Sequence, residues 1–274
     1  MARAIKHIKA GLLHVEVIGT IPEREPGRRR GGRCRPTCAA QQFYNDKCSW
    51  KECRLNLAAN FGRGDWVATP TYDDLHLPPD KKAADQELQK FIRKLRTARK
   101  RRGEELRYIY VTEGWHGKSE DEYFGCDGRL EDRRLHHHVV LNGVGPGDLE
   151  EIRSLWQGGG YVRIEPVDVH YYKELAKYLT KEVREFGRAK PGERVWRASR
   201  NLKRYDVEYI EIPSDSVTLS PPPGAVDYMQ FTEKNPFGFA DCVYAEYLLF
   251  PNEAPPNYSY TQGRKRQGPN NFSA

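Results

Sequence analysis

Residues 135 to 142, Leu135-His136-His137-His138-Val139-Val140-Leu141-Asn142, place three histidines inside an apolar run of the length of one buried strand. Strand side chains alternate between the two faces of a sheet, so Leu135, His137, Val139 and Leu141 share one face and His136, His138 and Val140 the other. The first set reads as a core face. The second sets two imidazoles side by side on a stiff element, which suits either a pair of nitrogen ligands for a divalent metal or a hydrogen-bonded histidine cluster.

Working outward, Leu106 to Glu113 (LRYIYVTE) is rich in β-formers, and the polar stretch with Gly114, Gly117, Gly125 and Gly128 joins it to the histidine strand as a long-tipped antiparallel hairpin. A helix is expected from about Pro79 to Arg102, where Ala84, Leu88, Phe91, Ile92 and Leu95 form one apolar stripe. Upstream, a helix is expected from Thr37 to Phe61, and Asp65 to Tyr72 (DWVATPTY) reads as a strand. Pro70 cannot donate to a ladder, so it asks for an edge position or a bulge. Downstream come a short helix at 148–156 with an acidic first turn, a strand at Tyr161 to Glu165 and a helix capped by Asp168 that runs to about Phe186. The order βαββαβ predicts an α+β fold of the split βαβ kind, a four- to five-stranded antiparallel sheet with helices on one face and the other face free for a site.

The chain has 274 residues, 45 Lys and Arg against 38 Asp and Glu, and 30% charged residues, a positive balance that favours a polyanionic partner such as nucleic acid. Ten Lys and Arg residues between 81 and 102, among them Arg99, Lys100 and Arg101, face only Asp85 and Glu87. No apolar run reaches the roughly 18 residues of a membrane span and no signal-peptide core opens the chain, so a cytoplasmic protein is expected. Cys34, Cys38, Cys48 and Cys53 crowd one segment with spacing irregular for a zinc module, and are left out of the site. Four regions are expected: a basic arm over 1–40 carrying Arg28, Arg29 and Arg30, a catalytic domain over 41–205, a β extension packed on it over 206–250, and a disordered basic tail over 251–274.

In the last helix, Tyr172, Ala176, Leu179, Val183 and Phe186 fall at core spacing, whereas Glu174, Tyr178, Lys181 and Glu185 form a polar stripe. Tyr178 and Lys181 lie one turn apart, and Tyr171 lies seven residues before Tyr178 on nearly the same face. A phenol has a pKa near 10, so a nearby ammonium or bound metal is what would make it a useful nucleophile.

His136-His137-His138 on a strand, followed by Tyr178-Leu179-Thr180-Lys181 on a helix, resembles the paired motifs of the HUH endonucleases, the nickases that start rolling-circle replication and plasmid transfer. The resemblance is closest to replication-associated proteins of phage and mobile-element type. Glu113 in Tyr110-Val111-Thr112-Glu113 matches their acidic third ligand, and Ala68-Thr69-Pro70-Thr71-Tyr72 matches their first strand motif except at Pro70. It covers roughly residues 40 to 205. It implies a metal-dependent single-strand endonuclease and strand transferase: Mg2+ or Mn2+ held by His136, His138 and Glu113, Tyr178 as nucleophile assisted by Lys181, and a 5′-phosphotyrosine intermediate. The implied partners are single-stranded DNA at a replication origin, with a host helicase and polymerase, and no small-molecule cofactor besides the metal. Arg28, Arg29, Arg30, Thr69, Thr71, Arg99, Lys100, Arg101, Arg200 and Lys203 are the expected DNA contacts.

Two other readings fit parts of the sequence. An open sheet with Tyr108, Tyr110 and Tyr161 also describes a non-catalytic single-strand nucleic-acid binder, which has no need of the histidine pair. A zinc-dependent hydrolase would use His136 and His138 and would have no use for Tyr178.

Overall fold

A computed structural model of the chain describes residues 2–21, 39–114, 135–181, 194–212, 218–234, 241–250 and 265–267. The chain divides into two compact units, one formed by residues 60–202 and the other by 1–59 together with 203–274.

The first unit holds a five-stranded antiparallel sheet. Its strands are β3 (Trp66–Tyr72), β4 (Tyr108–Glu113), β5 (His136–Leu141), β6 (Gly159–Pro166) and the short β7 (Arg197–Ala198), in the spatial order β6-β3-β5-β4-β7. With α2 (Lys81–Arg101) after β3 and α3 (Asp148–Leu155) after β5, this is the expected split βαβ arrangement. Asp80 starts α2 by accepting the Ala83 backbone N–H, and the stripe Ala84, Leu88, Phe91, Ile92 and Leu95 is buried. That stripe meets Ala68, Tyr72, Tyr110, Leu135, Val139 and Leu141 from the sheet and Ile152 from α3 in one core. Full burial of a Leu or Phe there is worth about 1.5–3 kcal/mol each, which fixes α2 to this face.

Pro70 sits in an interior strand, between β5 and β6. The ladder to β6 shifts register between Pro70 and Tyr72, so the missing N–H falls at a bulge, the second of the two positions open to it.

Arg99 corrects an expectation. It is 0% exposed and donates to the Asn142 carbonyl at 2.6 Å and to Asp148 at 3.2 Å. Burial lowers its pKa, opposed by Asp148 and Glu151. A guanidinium enclosed this way cannot meet DNA; it ties the end of α2 to the segment before α3. Charge count along a helix does not say which cation turns inward.

The second unit corrects the picture of a basic arm. Residues 2–21 form an antiparallel hairpin, β1 (Ala2–Ala10) and β2 (Leu13–Ile21), joined by the two residues Gly11 and Leu12. Gly11 has φ of 60°, and a Cβ there would lie 2.2 Å from the Ala58 carbonyl oxygen, so the position demands glycine on both counts. The strands expected as an extension, β8 (Asp206–Glu211), β9 (Val226–Glu233) and β10 (Cys242–Leu248), join this hairpin in a six-stranded sheet of order β11-β8-β1-β2-β10-β9. The edge strand β11 is Lys265–Gln267, inside the tail expected to be disordered; the rest of 251–274 and Arg28, Arg29 and Arg30 lie outside the described residues. Ile5, Ile18, Ile212, Leu219 and Ala245 form the core on one face. The helix α1 (Ala39–Asn60) supplies Arg54, which pairs with Glu246 at 2.7 Å. Among the described residues no helix is long and apolar enough to cross a membrane.

Candidate metal centre

Glu113 ends β4 and His136 begins β5, and the hairpin register sets them opposite each other, with Val111 opposite His138. Because residues two apart share a face, this register alone puts Glu113, His136 and His138 on one side of the sheet. The opposite side takes His137 into the core, as the alternation in the sequence requires. Glu113, His136 and His138 each offer a ligand atom, all within 4.8 Å of one another, a group able to hold a metal ion. The two imidazole Nε2 atoms approach to 3.1 Å, and the rings stand at 81° to each other.

The donor set fits a divalent cation. Both Glu113 oxygens are buried and make no hydrogen bond, although His138 Nε2 at 3.5 Å, His136 Nε2 at 3.8 Å and Lys181 Nζ at 3.3 Å stand within ion-pair reach of Oε2. A buried carboxylate without hydrogen bonds is costly, and a cation among these three groups would satisfy it. Burial acts to raise the Glu113 pKa, yet His138, Lys181 and His136 outweigh it and hold the group below the usual carboxylate range. It is therefore ionised at neutral pH, as a ligand must be. Replacing it with the isosteric amide should leave the fold intact and weaken metal binding at least about tenfold, the scale of losing a charged ligand or its support. Calorimetric titration with Mn2+ checks this, and unchanged affinity would place the third ligand elsewhere.

Thr69 on β3 acts on the same centre. Its hydroxyl lies 3.2 Å from His138 Nδ1, on the side of the ring away from the cluster, and so fixes the ring's orientation. Thr71 donates to the Tyr161 carbonyl at 2.8 Å. The sequence reading makes both threonines DNA contacts; their hydroxyls have these partners within the sheet instead.

His137 is more than a core filler. Its Nε2 lies 2.6 Å from the Tyr72 hydroxyl and its Nδ1 lies 3.0 Å from the Thr112 hydroxyl. Tyr72 is also within 3.2 Å of the Ala84 carbonyl. All are satisfied when His137 Nε2–H donates to Tyr72, Tyr72 donates to Ala84, and Thr112 donates to Nδ1. Burial, helped by His136 and His138, depresses the His137 pKa to about 3. The apolar alternation suggests that His137→Leu is tolerated; these bonds overturn that. The substitution should cost about 1–3 kcal/mol at pH 7 by stranding the Thr112 and Tyr72 hydroxyls. Since the folded pKa lies below the unfolded value of about 6.5, the unfolded chain takes up the proton first, and wild-type stability falls as pH drops from about 6.5 toward 3. The Leu variant should lose that part of the acid sensitivity, which urea denaturation at pH 7 and in mild acid measures.

The tyrosine and lysine arrive on α4 (Tyr172–Leu179), which follows a 3-10 turn, Val169–Tyr171, begun by the Asp168 side chain accepting the His170 N–H. The sequence pattern carries this helix to Phe186; α4 ends at Leu179 with Thr180 at its cap, and Val183, Glu185 and Phe186 lie outside the described residues. Within α4 the two stripes separate as read. Tyr172 is 3% exposed and its hydroxyl donates to the Phe61 carbonyl, while Ala176 and Leu179 are buried. Burial raises the Tyr172 pKa to about 12. Tyr178 is 44% exposed, with its ring centroid 4.5 Å from that of His138. Lys181 Nζ stands 4.3 Å from the centre of the Tyr178 ring while it pairs with Glu113. Tyr171 is 58% exposed on the turn before α4.

The structure thus brings together His136, His138, Glu113, Thr69, Tyr178 and Lys181. Lys100, Arg101, Arg200 and Lys203 are exposed cations on other parts of the surface, Lys203 in the second unit. Thr69 as a histidine support and the bracket of Tyr72 and Thr112 around His137 were not legible in the sequence. Register was the missing signal, since it alone says which hydroxyl meets which imidazole. Neither a curated protein nor a solved structure matches the chain. Residues 65–183, which include every member of the cluster together with Tyr178 and Lys181, match the family model for the replication-associated protein ORF2.

Proposed function

We propose that the chain is a replication initiator of the HUH endonuclease kind, which nicks and rejoins single-stranded DNA through Tyr178 to start rolling-circle replication. The observation that carries this reading is the placing of Tyr178 and Lys181, from one helix, against a His, His and Glu cluster on two strands. A hydrolase needs only the cluster, and a passive binder needs neither.

In this reading the Tyr178 hydroxyl oxygen attacks a backbone phosphorus and gives up its proton. The bond from phosphorus to the 3′ oxygen breaks, and that oxygen takes up a proton as it leaves. The products are a 5′-phosphotyrosine link and a free 3′-hydroxyl, and reversal of the step rejoins the strand without ATP. Lys181 sits where its ammonium stabilises negative charge developing on the tyrosine and the phosphate. Glu113, His136 and His138 would hold Mg2+ or Mn2+, which supplies Lewis-acid polarisation of the scissile phosphate. Mixed nitrogen and oxygen ligation suits Mn2+ by ligand softness. The partners in this scheme are origin DNA in single-stranded form, a host helicase and a host polymerase, in the cytoplasm.

The test is incubation with a random-sequence pool of single-stranded DNA and Mn2+, followed by denaturing electrophoresis. A covalent protein–DNA adduct is expected, and cleavage without an adduct would overturn the tyrosine route.

A further inference from the structure

At the other end of β4 from Glu113 lies an open groove of about 750 Å³. Arg96 and Lys100 from α2 line one side and Arg200 the other, with Tyr108 between them. These cations are mounted on fixed supports. Arg96 donates to the Tyr108 hydroxyl at 3.1 Å and lies 5.6 Å over its ring. Arg200 is held between two anchored neighbours: Ser199 exchanges two hydrogen bonds with the Tyr108 backbone, and Asn201 donates to the Leu106 carbonyl. Glu104 and Glu105 also line the groove, but Arg102 binds Glu104 at 2.8 Å, so the balance stays positive.

From these features we infer that the groove binds the phosphate backbone of duplex DNA flanking the nicked strand. Arg96 and Lys100 are one helical turn apart, about 6 Å, and Arg200 adds a third fixed charge across the groove, a layout suited to a stiff string of phosphates. Single-strand sites add aromatic faces on which bases stack. Here the face of Tyr108 is taken by Arg96, which leaves phosphate contact as the mode of binding. From Tyr108 to Glu113 the strand advances by about 17 Å, the length of about five base pairs. Duplex seated in the groove would then stand about five base pairs from the cutting site and set its register. This rests on the nicking reading for the choice of DNA as the polyanion.

The full chain is titrated by fluorescence anisotropy against an oligothymidine of about 12 nucleotides, and against the same strand joined to a hairpin stem of about ten base pairs, long enough to reach the groove. The stem should tighten binding at least about tenfold and steepen the dependence of log K on log salt by about 2, the effect of two to three phosphate contacts. Lys100→Glu with Arg200→Glu should abolish this gain, and the neutral pair Lys100→Gln with Arg200→Gln should reduce it. Lys81→Glu with Lys82→Glu, an equal charge change at the far end of α2, should keep it. No gain from the stem, or equal loss in both charge-reversed pairs, would overturn the inference. Tyr178→Phe should retain the stem-dependent gain, so absence of a covalent adduct counts against the nicking reading and leaves the groove standing.

Discussion

Tyr178→Phe is expected to fold as the wild type, to bind single-stranded DNA and to form no covalent adduct, a loss of nicking of about 10³-fold or more because only the nucleophilic oxygen is removed. The ring that lies against His138 and under Lys181 is kept, so metal affinity and thermal stability should stay near wild type. Tyr172→Ala should fail in another way. It empties a buried site and strands the Phe61 carbonyl, so stability should fall by about 3–5 kcal/mol and any loss of nicking should follow unfolding. Peptide mapping of the DNA-linked chain separates the candidates, and an adduct on Tyr171 with Tyr178 unmodified would sink the assignment.

Arg99→Met should be the most destabilising single change in the first unit, at about 3–5 kcal/mol, although it removes a cation from a protein rich in them. Asp148 accepts from Trp66 Nε1 at 3.1 Å and from the Val144 and Gly145 backbone, and Arg99 is its counter-ion. Without the guanidinium, a buried carboxylate and the Asn142 carbonyl both lose their partner. Exposed neighbours such as Lys100→Met should shift stability by less than about 0.5 kcal/mol. Chemical denaturation of the two variants side by side tests the contrast, and equal stability would mean that the buried pair contributes nothing.

The site was legible because its logic is local. Alternation along 135–142 separates His137 from His136 and His138, and helical spacing separates Tyr172 from Tyr178, whatever the rest of the chain does. Glu113 posed a difficulty, since its face carries Ile109 and Val111; both are buried in the structure, so that face is not open along its whole length. The hairpin at 2–21 escaped notice for the opposite reason. His7 and Glu16 are buried polar residues facing each other across β1 and β2, and they break the apolar alternation that marks a strand. Glu16 is satisfied by the Tyr247 hydroxyl at 2.6 Å, a contact that no local pattern announces.

The second unit is assembled from both ends of the chain, with the first unit inserted between its halves. Ile18 of β2 pairs with Val243 of β10, so closing that ladder must wait until nearly the whole polypeptide has left the ribosome. Residues 60–202, whose strand pairings all fall within their own segment, can mature earlier during synthesis. Contacts so distant in sequence carry a large loop-closure cost and form slowly, so the six-stranded sheet is the step expected to limit the rate at which the complete molecule folds. The inserted unit also relieves that cost once folded, because it replaces a long floppy connection between the two halves with a compact body.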